Sequence, residues 1–270
     1  MKLPVTYLFV PGDRPGRFDK ALAAGADVVI LDLEDAVAPP AKAQARAHVG
    51  AFVAARADVA DRLAVRINDR ASAWFAADLA MLRDAEVRSA VLPKAESAAD
   101  VASVRAALSA DGRVLPLIET ARGVRDVDAV AAAPGVARLA FGTLDFGVDL
   151  DLSGDARGLA YAASRIAIAS RCAGLPTPIA GVTASLDDEA RLVDDLAFAR
   201  AFGFGAKLCI HPRQVAPVRA AFAPSAAEIE WARRVVDAAA GTQGAVTLDG
   251  RMVDRPVVLR AQRILDRTAI

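Results

Sequence analysis

Eight times along the chain, a short run rich in Val, Ile and Leu gives way to an Ala-rich amphipathic stretch. That alternation is the signature of βα units, and it limits the possible folds more than any other feature of the sequence. The strand runs read YLFVPG, DVVILDLED, RLAVRIND, RSAVLPKA, VLPLIET, RLAFGTLDFG, TPIAGVT and AKLCIHP. They are mostly apolar, as parallel strands covered by helices require. Helices are predicted over 14–24, 41–57, 73–84, 98–109, 123–132, 159–173, 186–202 and 214–222.

Eight such units predict an α/β chain folded as a (β/α)8 TIM barrel over residues 1–223, with a doubly wound open sheet as the alternative. No GxGxxG follows the first strand, which weighs against a dinucleotide-binding open sheet. A length of 270 residues at 54% hydrophobic content supplies the core that a barrel needs. Past the eighth unit come a predicted helix over 226–240, the turn region GTQGAVTLDGRMVDRP and a last helix over 257–267. This C-terminal helical extension, 224–270, is surplus to a barrel and is expected to pack on it or on a neighbouring subunit.

With 33 basic and 33 acidic residues, nothing electrostatic recommends nucleic acid or an anionic membrane as a partner. No apolar run reaches the roughly 18 residues of a membrane span, so a soluble, cytoplasmic protein is expected. Cys172 and Cys209 lie in apolar surroundings and are expected to be reduced core residues. His48 and His211 are the only histidines, so any metal must be held mainly by oxygen.

In a barrel the chemistry sits at the C-terminal ends of the strands, where the βα loops gather. Charges recur there: Asp32, Glu34 and Asp35 after strand 2, Arg66, Asn68 and Asp69 on strand 3, Lys94 and Glu96 on strand 4. Glu119 ends strand 5, Asp145 strand 6, and Lys207 and His211 belong to strand 8. Alternation places Asp32 and Glu34 on one face and Asp35 on the other. Burying such carboxylates unpaired costs several kcal/mol, so they need cations, for which a metal ion, Arg66 and Lys94 are the candidates. Glu119 and Asp145, leaving adjacent strands, match the way Mg²⁺ is held by two carboxylates, waters and a chelating substrate. Gly142 and Gly147 either let the backbone approach a ligand or simply form a turn.

Taken in order, LFVPGDRPGRFDKALAAGADVVILDLEDAV, VRIND, VLPKAES, LPLIETARGV, FGTLDFGVDL, GFGAKLCIHPRQV and DGRMVDRPV resemble the citrate lyase beta-subunit-like branch of the HpcH/HpaI aldolase superfamily. The resemblance covers nearly the whole chain. It implies a (β/α)8 barrel, a homotrimer or dimer of trimers, that uses Mg²⁺ to make or break a C–C bond between an acyl-CoA and a keto acid. Citryl-CoA, malyl-CoA and citramalyl-CoA are the implied substrates. It also implies that Glu119 and Asp145 ligate the metal, with Phe146 beside them at the substrate. Arg66 would bind substrate, and Glu34 and Asp35 would hold metal waters. Asp254 would be an acid or base that, in longer members, reaches the active site of a neighbouring subunit. Asp32 is expected to pair with Lys94 or Arg66. Three other functions stay open: a malyl-CoA thioesterase, a Schiff-base aldolase on Lys94 or Lys207, and a non-catalytic keto-acid or acyl-CoA sensor.

Overall fold

The computed structural model of the chain describes residues 3–240 and 246–268. Eight parallel strands close in sequence order into a barrel. They are β1 (Thr6–Pro11), β2 (Val28–Asp32), β3 (Leu63–Arg66), β4 (Ser89–Leu92), β5 (Arg113–Ile118), β6 (Ala140–Phe141), β7 (Ile179–Ala180) and β8 (Ala206–Cys209). Pairing of β8 back onto β1 completes the ring, so the open-sheet alternative falls away.

Every strand sends at least one side chain inward. Tyr7, Val28, Ile30, Ala64, Val91, Leu117, Ala140, Ile179 and Leu208 meet in one buried cluster. Burying each large aliphatic side chain of this plug contributes about 1.5–3 kcal/mol. Because side chains alternate along a strand, the next inward positions above the plug are Asp32 on β2, Arg66 on β3 and Glu119 just past β5. Register agrees, since Asp32 and Arg66 are partners across β2 and β3. A polar ring therefore rests on an apolar floor.

The chain divides into two compact units, one of them Leu3–Val218 and the other beginning at Arg219, inside the helix Val215–Phe222. The second unit pairs the helices Ala226–Ala239 and Arg255–Asp266 over its own core of Ala232, Val235, Val253, Ala261 and Ile264. Ser225 and Glu228 form a capping box on the first of these helices. Between them lies an antiparallel hairpin, β9 (Val246–Leu248) and β10 (Arg251–Val253), where a turn region is read from sequence. Its two-residue turn, Asp249-Gly250, has φ of 51° and 72°, the left-handed pair that such a turn demands. Residues 241–245 of that region lie outside the described residues.

Candidate active site

Arg66 is the hub of the barrel mouth. Its Nε and Nη2 each lie 2.7 Å from an oxygen of Asp32, a two-point fork that fixes the guanidinium plane. Nη1 is 2.7 Å from Glu34 Oε2 and 3.3 Å from Asp35. The guanidinium carbon lies 4.7 Å from the centroid of the Phe9 ring. Burial works against the charge of Arg66, but Asp32, Glu34 and Asp35 outweigh it and hold its pKa above the usual range. The partner of Asp32 is thus Arg66, while Lys94 pairs with Glu34 at 3.2 Å.

Asp32 also ends its own strand. Its carboxylate accepts the N–H groups of Glu34 (2.9 Å) and Ala36 (3.2 Å), so the chain curls where an extended strand would have alternated. The two-face division expected for Glu34 and Asp35 therefore fails, and both acids reach Arg66. Lys42 fastens the curl from behind. Its ammonium donates to Leu33 O (2.7 Å), Glu34 O (2.7 Å) and Asn68 Oδ1 (2.6 Å), using all three of its protons. Asn68 in turn donates to the fully buried Asp78, which also accepts from Arg46.

Across the mouth, Glu119 Oε1 accepts the backbone N–H of Lys94 at 2.8 Å, and Lys94 adopts a left-handed φ of 45°. Gly142 makes room for that side chain, since a Cβ there would lie 2.6 Å from Glu119 Cβ and closer still to Oε2. Gly147, by contrast, faces open space. Asp145 is half-buried with no hydrogen bond or ion pair among the described residues. It stands in the first turn of the helix Thr143–Asp149, not on a strand, because β6 stops at Phe141.

Burial, then the charge of Glu34, pushes Glu119 up to about 8, with Asp145 adding to the rise. Glu34 rises to about 7, again chiefly through burial, against the pull of Arg66. Glu34 Oε2 is buried and has no hydrogen-bond donor, although Arg66 lies within ion-pair distance. Arg66 and Lys94 both pair with Glu34, and burial still holds Glu34 and Glu119 above the usual carboxylate range. Among the described residues, no three or more His, Cys, Asp or Glu side chains converge to hold a metal ion by themselves. Glu119 and Asp145 are hard oxygen donors, the type that suits Mg²⁺, and lie near enough for the charge of Asp145 to act on Glu119.

Other candidates have other partners. The Phe146 side chain, expected at the substrate, is buried and packs edge-on against Phe141 at 5.5 Å, so its ring serves the core. Lys207 sits between Ala206 and Leu208, which face the lumen, and so points to the outer side of the barrel wall. His211 Nδ1 accepts from Arg213 N–H and caps a short turn. Asp254 belongs to the second unit, where it is the N-cap of the helix Arg255–Asp266. Cys209 is buried as expected, but Cys172 is exposed at the end of the helix Ala160–Cys172. Lys42 and Asp78 carry no signal at a strand exit; the one hint is that lysine is rare in this chain.

The model of the HpcH/HpaI aldolase/citrate lyase family matches residues 6–212. The chain belongs to that family. A citrate lyase subunit beta-like protein of Mycobacterium tuberculosis is 38% identical over 268 residues, covering 97% of this chain and 94% of the relative. A (3S)-malyl-CoA thioesterase of Cereibacter sphaeroides is 33% identical, covering 96% and 93%. Among solved structures, CitE of M. tuberculosis in complex with magnesium, acetoacetate and coenzyme A superposes with a TM-score of 0.87 at 37% identity, covering 99% of this chain and 98% of that one. Membership agrees with the barrel and with the motifs that surround its mouth.

Proposed function

We propose that the chain is a Mg²⁺-dependent carbon–carbon lyase that cleaves, or forms, a 3-hydroxyacyl-CoA such as citryl-, malyl- or citramalyl-CoA, giving an acyl-CoA and a 2-keto acid. The observation that carries this reading is one buried cluster: Arg66, held by Asp32, pairs with Glu34, whose charge acts together with that of Asp145 on the buried Glu119. The magnesium, acetoacetate and coenzyme A bound by M. tuberculosis CitE support it.

Glu119 and Asp145 would hold the Mg²⁺, with Glu34 and Asp35 ordering water beside it. When bound, the ion supplies a Lewis acid that acidifies the substrate hydroxyl and fixes its orientation. Arg66 would face the thioester enolate oxygen as charge develops there, where a fixed guanidinium is worth most. Lys94 balances Glu34, and Asp254 would exchange the proton with the acyl carbon. The same proposal includes assembly as a homotrimer or dimer of trimers, with Asp254 serving its own or a neighbouring mouth.

Hydrolysis is the second reading, favoured by the thioesterase relative. One screen separates the two. Each of the three CoA esters is incubated with Mg²⁺ while keto acid and free thiol are followed together. Keto acid without thiol supports the lyase; thiol without keto acid supports the thioesterase; neither product from any ester overturns both.

Two substitutions test parts of the arrangement. Gly142→Ala is expected to displace Glu119 and weaken Mg²⁺ binding at least tenfold by calorimetry, with the barrel intact by circular dichroism. Asp254→Asn keeps a good N-cap, since Asn and Asp cap equally well, so stability should hold. Turnover is expected to fall at least thirtyfold with KM little changed; a rise in KM alone would restrict the tail to shaping the binding site.

A further inference from the structure

On the outer side of the barrel wall, a cavity of about 830 Å³ opens beside β7 and β8, between the helices Thr143–Asp149 and Glu189–Ala201. Lys207 stands in its wall and is only 2% exposed. Its ammonium donates to Gly181 O at 2.7 Å, which leaves two of its three N–H donors without an acceptor. The carboxylate whose charge acts on it, Asp195, is already engaged by Thr183 Oγ1 at 2.6 Å and Arg191 at 3.0 Å. Lys207 therefore has no ion-pair partner among the described residues.

The rest of the cavity has a clear polarity. Phe141, Phe198 and Phe204 line it with apolar surface, while five aspartates, Asp151, Asp155, Asp188, Asp194 and Asp195, against the single arginine Arg191, make its charged lining net negative. Its size is that of a small-molecule site, which spans roughly 300–1,000 Å³. A buried cation with spare donors wants an anion, because an unpaired buried charge is costly. The surrounding aspartates disfavour a polyanion, and the aromatic walls favour hydrocarbon.

We propose that this cavity binds a monocarboxylate bearing an apolar chain, with its head on Lys207 and its chain along Phe141, Phe198 and Phe204. The head group would take up the two spare N–H donors, and the chain would leave water for the aromatic walls. Burial pulls Lys207 down to about 8, and a carboxylate beside it would restore the charged form. Thr143, Leu144, Gly147 and Val148 of its wall share a helix with Asp145, but neither Asp145, Glu119 nor Arg66 lines the cavity, and the proposal does not rest on the proposed reaction.

Calorimetric titration of octanoate into the full chain tests it. Saturable binding at one site per chain is expected, with octylamine, of the same length but opposite charge, not binding at the same concentrations. Lys207→Met is expected to weaken octanoate at least tenfold. Val148→Asp changes a cavity-wall position that is 83% exposed and on which the fold does not depend, and it is expected to weaken octanoate at least fivefold. Affinity should be unchanged in Arg66→Ala, since Arg66 and its partners Asp32, Glu34 and Asp35 are not in the cavity wall. Absence of octanoate binding, equal binding of octylamine, indifference to Val148→Asp, or loss in Arg66→Ala each overturns the proposal.

Discussion

Replacing Glu119 by alanine is expected to lower Mg²⁺-dependent turnover at least a thousandfold while leaving the metal-free chain as stable as before, or more so. The two halves have one cause. Glu119 is 2% exposed, and burial together with Glu34 and Asp145 pushes its pKa to about 8. A carboxylate in that setting is a burden on the metal-free fold, and under the proposed assignment a bound cation would turn the same crowding into affinity. Alanine removes the repulsion and forfeits one hydrogen bond from Lys94 N–H, a loss of about 1 kcal/mol. For a chain of this size that loss alone is roughly 2–4 °C in Tm, which the relieved repulsion offsets. Asp145→Ala should lose turnover equally but gain no stability, since Asp145 is only half-buried. Melting curves in EDTA beside Mg²⁺-dependent assays decide it. Substantial Mg²⁺-dependent turnover in either variant would remove the metal assignment.

How far the mouth is legible in the sequence depends on where each residue sits relative to its strand. Asp32, Arg66 and Glu119 follow the alternation of apolar strands, so period-two reasoning brings them together above the plug. Glu34 and Asp35 lie past the point where Asp32 captures its own downstream N–H groups, and there periodicity has no authority. AFGTLDFG reads as one apolar run and so puts Asp145 on a strand; the Glu119 side chain packed on Gly142 is a long-range fact that no local window contains. Lys42 is illegible for the same reason, since its three acceptors come from the curl after β2 and from Asn68 after β3. The C-terminal hairpin is different. Asp249-Gly250 is a strong local turn signal, hidden only by the glycine-rich stretch that it follows.

Arg66→Lys keeps the charge and is expected to lose at least a hundredfold in kcat. Three separate nitrogens of Arg66 engage Asp32 and Glu34, each at 2.7 Å, in one plane over Phe9. An ammonium is a point charge with tetrahedral donors and cannot face both acids from one position. Paired with Asp32, it withdraws from the mouth; paired with Glu34, it leaves the buried Asp32 short of a partner. A fixed donor aimed at a developing oxyanion is worth about 2.7–4 kcal/mol, or 10²–10³ in rate, and the lysine forfeits that orientation. Because the loss is one of geometry at the transition state, KM should move far less than kcat. Arg66→Ala provides the control: added guanidinium should restore part of its turnover by occupying the vacated fork beside Asp32, whereas ammonium at the same ionic strength should not. Equal rescue by both cations would reduce the role of Arg66 to net charge, and a wild-type kcat in Arg66→Lys would remove it from the reaction.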